Sequence, residues 1–247
     1  MSEASGTENT GSGEALVTGA TSGIGRAAAL RLARDGWDVV VHGRNPERGA
    51  EVVREIEADG GSGRFVAADL NDLAAVRVLV EEVGDVDVLV NNAGASWFGP
   101  TADLDQASYD DLFEGNVRSA YFLVAGIAPG MAARSSGSII NLASMAGQIG
   151  LNGGAANGAT KAALTSLTRS WAAEFSPRGV RVNAIAAGPV FSTPEKAPFI
   201  EQLGKTTLLG RGAQVEEIAE VIAFLASSKS SYVTGATLAV DGGRTAT

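Results

Sequence analysis

The chain has 247 residues, 45% of them hydrophobic, with 32 glycines, no cysteine and a formal net charge of −9. That is enough apolar material for one sizeable core, and the lack of cysteine excludes disulfides, thiolate metal sites and cysteine nucleophiles. The negative balance repels nucleic acid, and no apolar run reaches the about 18 residues of a membrane span.

Residues 1–13 are polar and rich in Gly and Ser, without the apolar middle of a signal peptide. They read as a disordered tail on a cytoplasmic protein. From residue 14 to 247 a single domain is expected. Ala15–Thr18 reads as a first strand, Arg26–Asp35 as a helix and Trp37–Val41 as a second strand. Pro46–Ala58 follows as a helix with Pro in its first turn. Arg64–Ala68, Asn71–Val83 and Asp87–Val90 read as strand, helix and strand. A long helical region over Ala107–Ala133 leads to a strand at Gly137–Leu142 and a helix at Gly158–Phe175. Val180–Ile185, Val215–Leu225 and Ala236–Val240 complete the alternation. Near-continuous apolar strands alternating with helices predict an α/β fold: a single Rossmann-type, doubly wound parallel sheet of about seven strands flanked by helices. The stretch 187–212 holds Pro189, Pro194, Pro198 and Gly204 and reads as a mobile, irregular flap on the substrate side.

The first chemical signal is Thr18-Gly19-Ala20-Thr21-Ser22-Gly23-Ile24-Gly25, between the first strand and the first helix. Glycines there permit a tight turn and let backbone N–H groups approach a pyrophosphate at a helix N-terminus. The spacing differs from G-x-G-x-x-G. After the second strand comes Val41-His42-Gly43-Arg44-Asn45, which lacks the carboxylate that would hold the ribose 2′-hydroxyl of NAD. Arg44 can pair a 2′-phosphate through its planar fork, which favours NADP(H). A solvated surface arginine is the other reading. His42, the single histidine, reads as an adenine-side or strand-end residue rather than a base.

This glycine loop resembles the cofactor loop of the short-chain dehydrogenase/reductase family. Asn91-Asn92-Ala93-Gly94, Glu114-Gly115-Asn116-Val117, Val180-Arg181-Val182-Asn183-Ala184-Ile185 and Val233-Thr234-Gly235 with Val240-Asp241-Gly242-Gly243 resemble further motifs of that family, in order, from about Glu14 to Gly243. The resemblance implies a cofactor site built from Gly19, Thr21, Ser22, Gly23, Ile24, Gly25, Arg44, Asp69, Leu70, Asn92, Ala93, Gly94, Lys161, Gly188 and Val190, with Asp69 on the adenine side and no metal. It also implies a reaction centre of serine, tyrosine and lysine supported by a helix asparagine. Ser144, Lys161 and Asn116 match three of these.

The tyrosine position holds Asn157, 13 residues after Ser144 and four before Lys161. Tyr109, Tyr121 and Tyr232 are the only tyrosines, none near in sequence. A phenol with a pKa of about 10 can be tuned by a neighbouring lysine to protonate an alkoxide, and a carboxamide cannot. Asn157 also fits a helix N-cap, and Ser144 a strand-end cap. A smaller departure is Ala187-Gly188 where the family has Pro-Gly.

The expected activity is an NADP(H)-dependent ketoreductase with an atypical proton donor. The alternatives are a non-redox lyase, isomerase or cyclase that keeps the cofactor as a wall, a catalytically silent binding protein, or a variant engineered from Tyr to Asn. Trp97, Phe98 and Phe191 suit an apolar or aromatic ketone, and equally suit ordinary packing. The resemblance further implies a homo-oligomer, a tetramer or dimer, with no nucleic-acid or membrane partner.

Overall fold

A computed structural model describes residues 13–246. The expected tail lies outside the described residues apart from Gly13, whose carbonyl accepts the Asp38 N–H at 3.0 Å. The strands are β1 (Glu14–Val17), β2 (Asp38–Gly43), β3 (Ser62–Ala67), β4 (Val88–Asn91), β5 (Gly137–Ser144), β6 (Val180–Ala187) and β7 (Thr237–Val240). All pair in parallel in the order β3-β2-β1-β4-β5-β6-β7. Helices α1 (Gly23–Arg34), α2 (Pro46–Ala58), α3 (Leu73–Val83), α4 (Gln106–Phe113), α5 (Ser119–Ala133), α6 (Ala155–Phe175), α7 (Ala197–Gly204) and α8 (Val215–Ala226) connect them. This is the doubly wound seven-stranded sheet that the sequence predicts.

Both faces are buried, which explains the continuous apolar strands. Val17, Val41, Val90, Ile140 and Ile185 pack against Leu32 of α1, Ile56 of α2 and Ile222 of α8. Their neighbours Leu16, Val40, Leu89 and Ile139 point the other way, against Leu79 of α3, Leu123 of α5 and Trp171 of α6. The alternation follows from the two-residue period of a strand.

Most boundaries shift by one to three residues from the sequence expectation, α1 for example opening at Gly23. Strands β5 and β6 continue to Ser144 and Ala187, because those residues still pair in register. Helix α6 opens at Ala155, three residues early, with Gly154 as its N-cap. The region 107–133 is broken by a π-helical turn, Glu114–Arg118, between α4 and α5. Pro129 sits inside α5 without ending it. The stretch 187–212 is not irregular throughout. It carries a 3₁₀ turn, Pro194–Lys196, and then α7. Pro194 and Pro198 both fall in first turns, where a missing N–H removes no helical bond, so they start these elements rather than forbid them.

Ile139, fully buried in the central strand β5, offers a check on this core. Ile139→Ala is expected to lower the unfolding free energy by about 2–5 kcal/mol in urea titration, with far-UV dichroism unchanged in native buffer.

Candidate active site

The strand order reverses between β1 and β4, and an open sheet forms a ligand crevice where its connections diverge. The glycine turn after β1 and the turn after β4 flank this crevice. Gly19 and Gly23 have φ of 64° and 54°, the left-handed region that suits glycine. A Cβ on Gly25 would lie 2.3 Å from the Gly19 carbonyl and 2.4 Å from Asn92 Nδ2. Helix α1 starts here with Ser22 as an extended N-cap that makes no side-chain cap. The first N–H groups of α1 are therefore available to an anion, with the helix dipole behind them. This cradle fits a pyrophosphate.

The turn after β4 holds the glycine turn in place. Thr18 Oγ1 donates to the Val90 carbonyl at 3.1 Å and accepts the N–H groups of Asn92 and Ala93, both at 3.0 Å. Asn92 Nδ2 donates to the carbonyls of Thr18 and Gly19 at 2.8 and 3.3 Å. The Asn92 carboxamide thus braces the loop with its amide hydrogens. Thr21 sits against Gly43 at the end of β2, where a Cβ would come 2.5 Å from Thr21 Cγ2. Ile24, Leu70 and Val190 turn their side chains into the two cores, so only their backbones are free to face a ligand. Gly188 is clamped as well: its N–H donates to the Val240 carbonyl at 3.0 Å, and a Cβ would meet Asp241 Cα at 2.5 Å.

His42 is 2% exposed and lies beneath the glycine turn. Its Nδ1 accepts the Gly19 N–H at 3.3 Å while Nε2 donates to the Ala68 carbonyl at 3.2 Å. The two contacts select the neutral ring with its proton on Nε2. Burial pushes the imidazole pKa down to about 4, against smaller upward effects of the Ala68 carbonyl and Asp69. His42 is a pin joining the phosphate turn to the end of β3. Asp69 is exposed in the turn that follows, and its Oδ1 accepts the Asn71 N–H at 3.1 Å. Arg44 is exposed one residue beyond β2 and forms no ion pair among the described residues.

The second cluster lies at the ends of β5 and β6. Ser144 Oγ accepts the Ala146 N–H at 3.1 Å, which makes it the cap of a 3₁₀ turn over Met145–Gly147. Its other contact, to the Ala187 carbonyl, is long at 3.4 Å. Helix α6 presses on that turn through two glycines. A Cβ on Gly147 would lie 2.7 Å from the Ala162 nitrogen, and one on Gly158 would lie 2.5 Å from the Ala146 carbonyl. This approach brings up Lys161, whose Nζ donates to the Leu142 carbonyl at 2.9 Å. Burial alone lowers the ammonium pKa to about 8.

Asn116 sits in the π turn and is 1% exposed. Its Oδ1 accepts the Ala95 N–H at 2.8 Å, and its Nδ2 donates to the Ala95 carbonyl at 2.9 Å and to Thr160 Oγ1 at 3.0 Å. Both amide hydrogens are used, so the side chain clamps the β4 loop to α6. Asn157 is not an N-cap, because Gly154 takes that place and Asn157 is the third residue of α6. It is 4% exposed, and its Oδ1 has no hydrogen-bond partner among the described residues.

Of the aromatic residues expected to face substrate, Trp97 folds over Gly99, and Phe191 packs on Gly212. Phe98 alone reaches outward, 42% exposed, with its ring centroid 5.7 Å from that of Phe199 on α7. Lys196 Nζ donates to Ser96 Oγ at 3.0 Å beside it. The roles of Thr18, Thr160, Phe199 and Ser192 were not visible in the sequence. The carbonyl of Ser192 lies 3.2 Å from a Cβ position on Gly23, over the phosphate turn. Thr18 could have been found from its place directly before Gly19. The others depend on contacts between segments distant in sequence. A cleft of about 410 Å³ beside α1 and α2 is lined by paired charges such as Arg26–Glu55 and Arg34–Asp59 and by none of these residues.

Residues 19–245 match the family model described as enoyl-(acyl carrier protein) reductase. The chain belongs to the short-chain dehydrogenase/reductase family. It is 39% identical over 237 residues to a 3-oxoacyl-[acyl-carrier-protein] reductase of Staphylococcus aureus, covering 93% of this chain and 96% of that protein. It is 35% identical to a cyclopentanol dehydrogenase of Comamonas, covering 94% and 96%. A solved 3-oxoacyl (acyl-carrier-protein) reductase from Agrobacterium tumefaciens, with NADP bound, superposes with a TM-score of 0.89 at 31% identity, covering 95% of each chain.

The His42 pin makes the phosphate turn sensitive to acid. The unfolded chain takes up a proton near pH 6.5, whereas the folded ring resists until about 4. The stabilisation is complete above about pH 6.5, falls as pH drops toward 4 and levels off below. Native protein is expected to lose on the order of 3 kcal/mol more than His42→Asn between pH 7 and pH 4 in urea unfolding.

Proposed function

We propose that this chain is an NADP(H)-dependent ketoreductase in which Asn157 stands at the position of the family's catalytic tyrosine. The observation that carries this reading is the convergence of two clusters at the same sheet edge. The uncapped start of α1, with the glycine turn, faces the crevice, and Ser144 at the end of β5 and Lys161 in the second turn of α6 belong to the same edge. The NADP bound to the Agrobacterium relative supports the same assignment. When bound, the reduced nicotinamide supplies a hydride to a carbonyl carbon.

The rest is the work of this chain's own residues. The N–H groups at the start of α1 hold the pyrophosphate, with Gly19, Thr21, Ser22, Gly23 and Gly25 shaping the turn. Arg44 pairs the 2′-phosphate, because β2 ends without a carboxylate and the guanidinium is exposed beside it. Asp69, with the backbone at Leu70, borders the adenine, and Ala93 and Gly94 line the nicotinamide side. One of the two ammonium hydrogens of Lys161 not bonded to Leu142 serves the ribose. Ser144 turns its hydroxyl from a long contact toward the substrate oxygen, and a preorganised donor of this kind stabilises charge that develops there. Asn157 can donate or accept a hydrogen bond, but it does not release a proton.

The relatives reduce or oxidise carbonyl and alcohol groups on different carbon skeletons, by their names. Phe98 and Phe199 favour an apolar or aromatic ketone here. Tyr121 and Phe122 are exposed on α5, with Tyr121 against Trp171 of α6 at 6.1 Å, and this face supports a homo-oligomer. No described helix is long and apolar enough to cross a membrane, and the described residues hold no group of three or more His, Asp or Glu side chains placed to bind a metal ion. We assign the protein to the cytoplasm.

Arg44→Glu is expected to weaken NADPH at least tenfold in calorimetry and to leave NADH within about threefold. Equal loss for both cofactors would remove the 2′-phosphate assignment. Asn157→Tyr is expected to raise the single-turnover rate of ketone reduction by about 10²–10⁴-fold. The lack of a titrating group at 157 favours one other reading, a non-redox enzyme on the same cofactor. Substrate conversion with no change in nicotinamide absorbance would establish it instead.

A further inference from the structure

We propose that Lys161 itself is the proton donor in this protein, acting through a water seated on the Asn157 carboxamide oxygen. The proposal rests on the ketoreductase reading.

Asn157 Oδ1 is a buried acceptor with no donor among the described residues. Leaving such an atom unsatisfied costs about 1–3 kcal/mol, so the site calls for a donor that the chain does not provide. Asn157 and Lys161 are four residues apart on α6 and share one face of it. Lys161 commits one hydrogen to the Leu142 carbonyl, which fixes the ammonium and leaves two, one for the ribose and one to give. A buried water needs two to four polar partners, and Asn157 Oδ1, Lys161 Nζ and Ser144 Oγ are of that kind.

Among the described residues no other acid is at hand. Thr160 gives its hydroxyl hydrogen to the Asn157 carbonyl at 2.8 Å, and both Asn116 amide hydrogens are bonded. Tyr109, Tyr121 and Tyr232 are 45%, 47% and 102% exposed, and His42 is tied beneath the glycine turn. The elements around Lys161 present it with no charge. Strand β5 offers the Leu142 carbonyl and Ser144, the 3₁₀ turn offers Gly147, and the β4 loop offers Gly94, whose Cβ position is 3.8 Å from Nζ. The π turn offers Asn116, while its charged residues Glu114 and Arg118 bond to each other. Burial is the only influence on the ammonium, and its pKa of about 8 matches proton transfer near neutrality.

The step balances as follows. Hydride from reduced nicotinamide forms a C–H bond at the carbonyl carbon, and the C=O π pair moves to oxygen. The oxygen takes a proton from the water, and the water takes one from Lys161. The neutral amine recovers its proton from solvent. One hydride and one proton give the alcohol.

The first test uses the full chain without cofactor. Lysines are reductively methylated with ¹³C-formaldehyde and titrated by NMR, and the Lys161 signal is assigned by its loss in Lys161→Arg. Titration near pH 8 is expected, and titration in the ordinary lysine range near about 10.4 would overturn the proposal. The second test is single-turnover ketone reduction at saturating NADPH. The native rate should fall tenfold per pH unit above about 8, because the protonated amine is the reactant. Lys161→Arg, assayed at NADPH concentrations that saturate the variant, should lose about 10²–10⁴-fold with that limb gone. Asn157→Leu should also lose rate and should leave the Lys161 titration in place. An alkaline limb unchanged in Lys161→Arg refutes the lysine as donor and leaves the ketoreductase reading standing. Bound NADPH with no hydride transfer to any ketone removes both.

Discussion

The hydroxyl of Thr18 is the joint on which the rest of the site depends. It sits at the end of β1, gives its hydrogen to β4 and takes two backbone N–H groups from the turn after β4. Asn92 returns the favour through its carboxamide. In a buried setting such linked bonds reinforce one another, and the loss of one leaves the others without partners. The glycine turn therefore has little freedom to drift. Its N–H groups keep their aim because the neighbouring strand holds them, and His42 supports the same turn from below.

A parallel sheet makes this arrangement economical in length. Strands that are buried on both faces leave only their ends to face solvent, so polar side chains collect there. Thr18, His42 and Asn91 follow this rule at the ends of their strands, while Asn141 and Asn183 lie within β5 and β6 and bond Thr168 and the Val233 carbonyl. The chemistry at the carboxyl edge and the stability of the sheet are consequences of one packing pattern.

The sequence made the strand order of events legible because apolar runs and glycine turns are local signals. The cofactor loop, the bare end of β2 at Arg44 and the spacing of Ser144, Asn157 and Lys161 could all be read without a structure. The π turn could not, because one five-residue turn between two helices carries no composition signal of its own. Nor could α7, since prolines at first-turn positions look like breakers until the start of the helix is known. Asn116 shows a different limit. Its motif placed it beside the reaction centre but did not show that its side chain bonds Ala95 and Thr160. Residue identity indicates which bonds can form, and only the surroundings decide which of them do.

The frame around position 157 holds that residue by its backbone only. Thr160 bonds the carbonyl of residue 157, Gly158 abuts the Ala146 carbonyl, and Asn116 fastens Thr160 from the side. None of these fixtures involves the side chain of residue 157. Its direction is set by the mounting, and its chemical character by whichever amino acid is fitted there. Reactivity at this point is thereby uncoupled from architecture: the protein can alter what it offers a ligand without rebuilding the place from which it offers it.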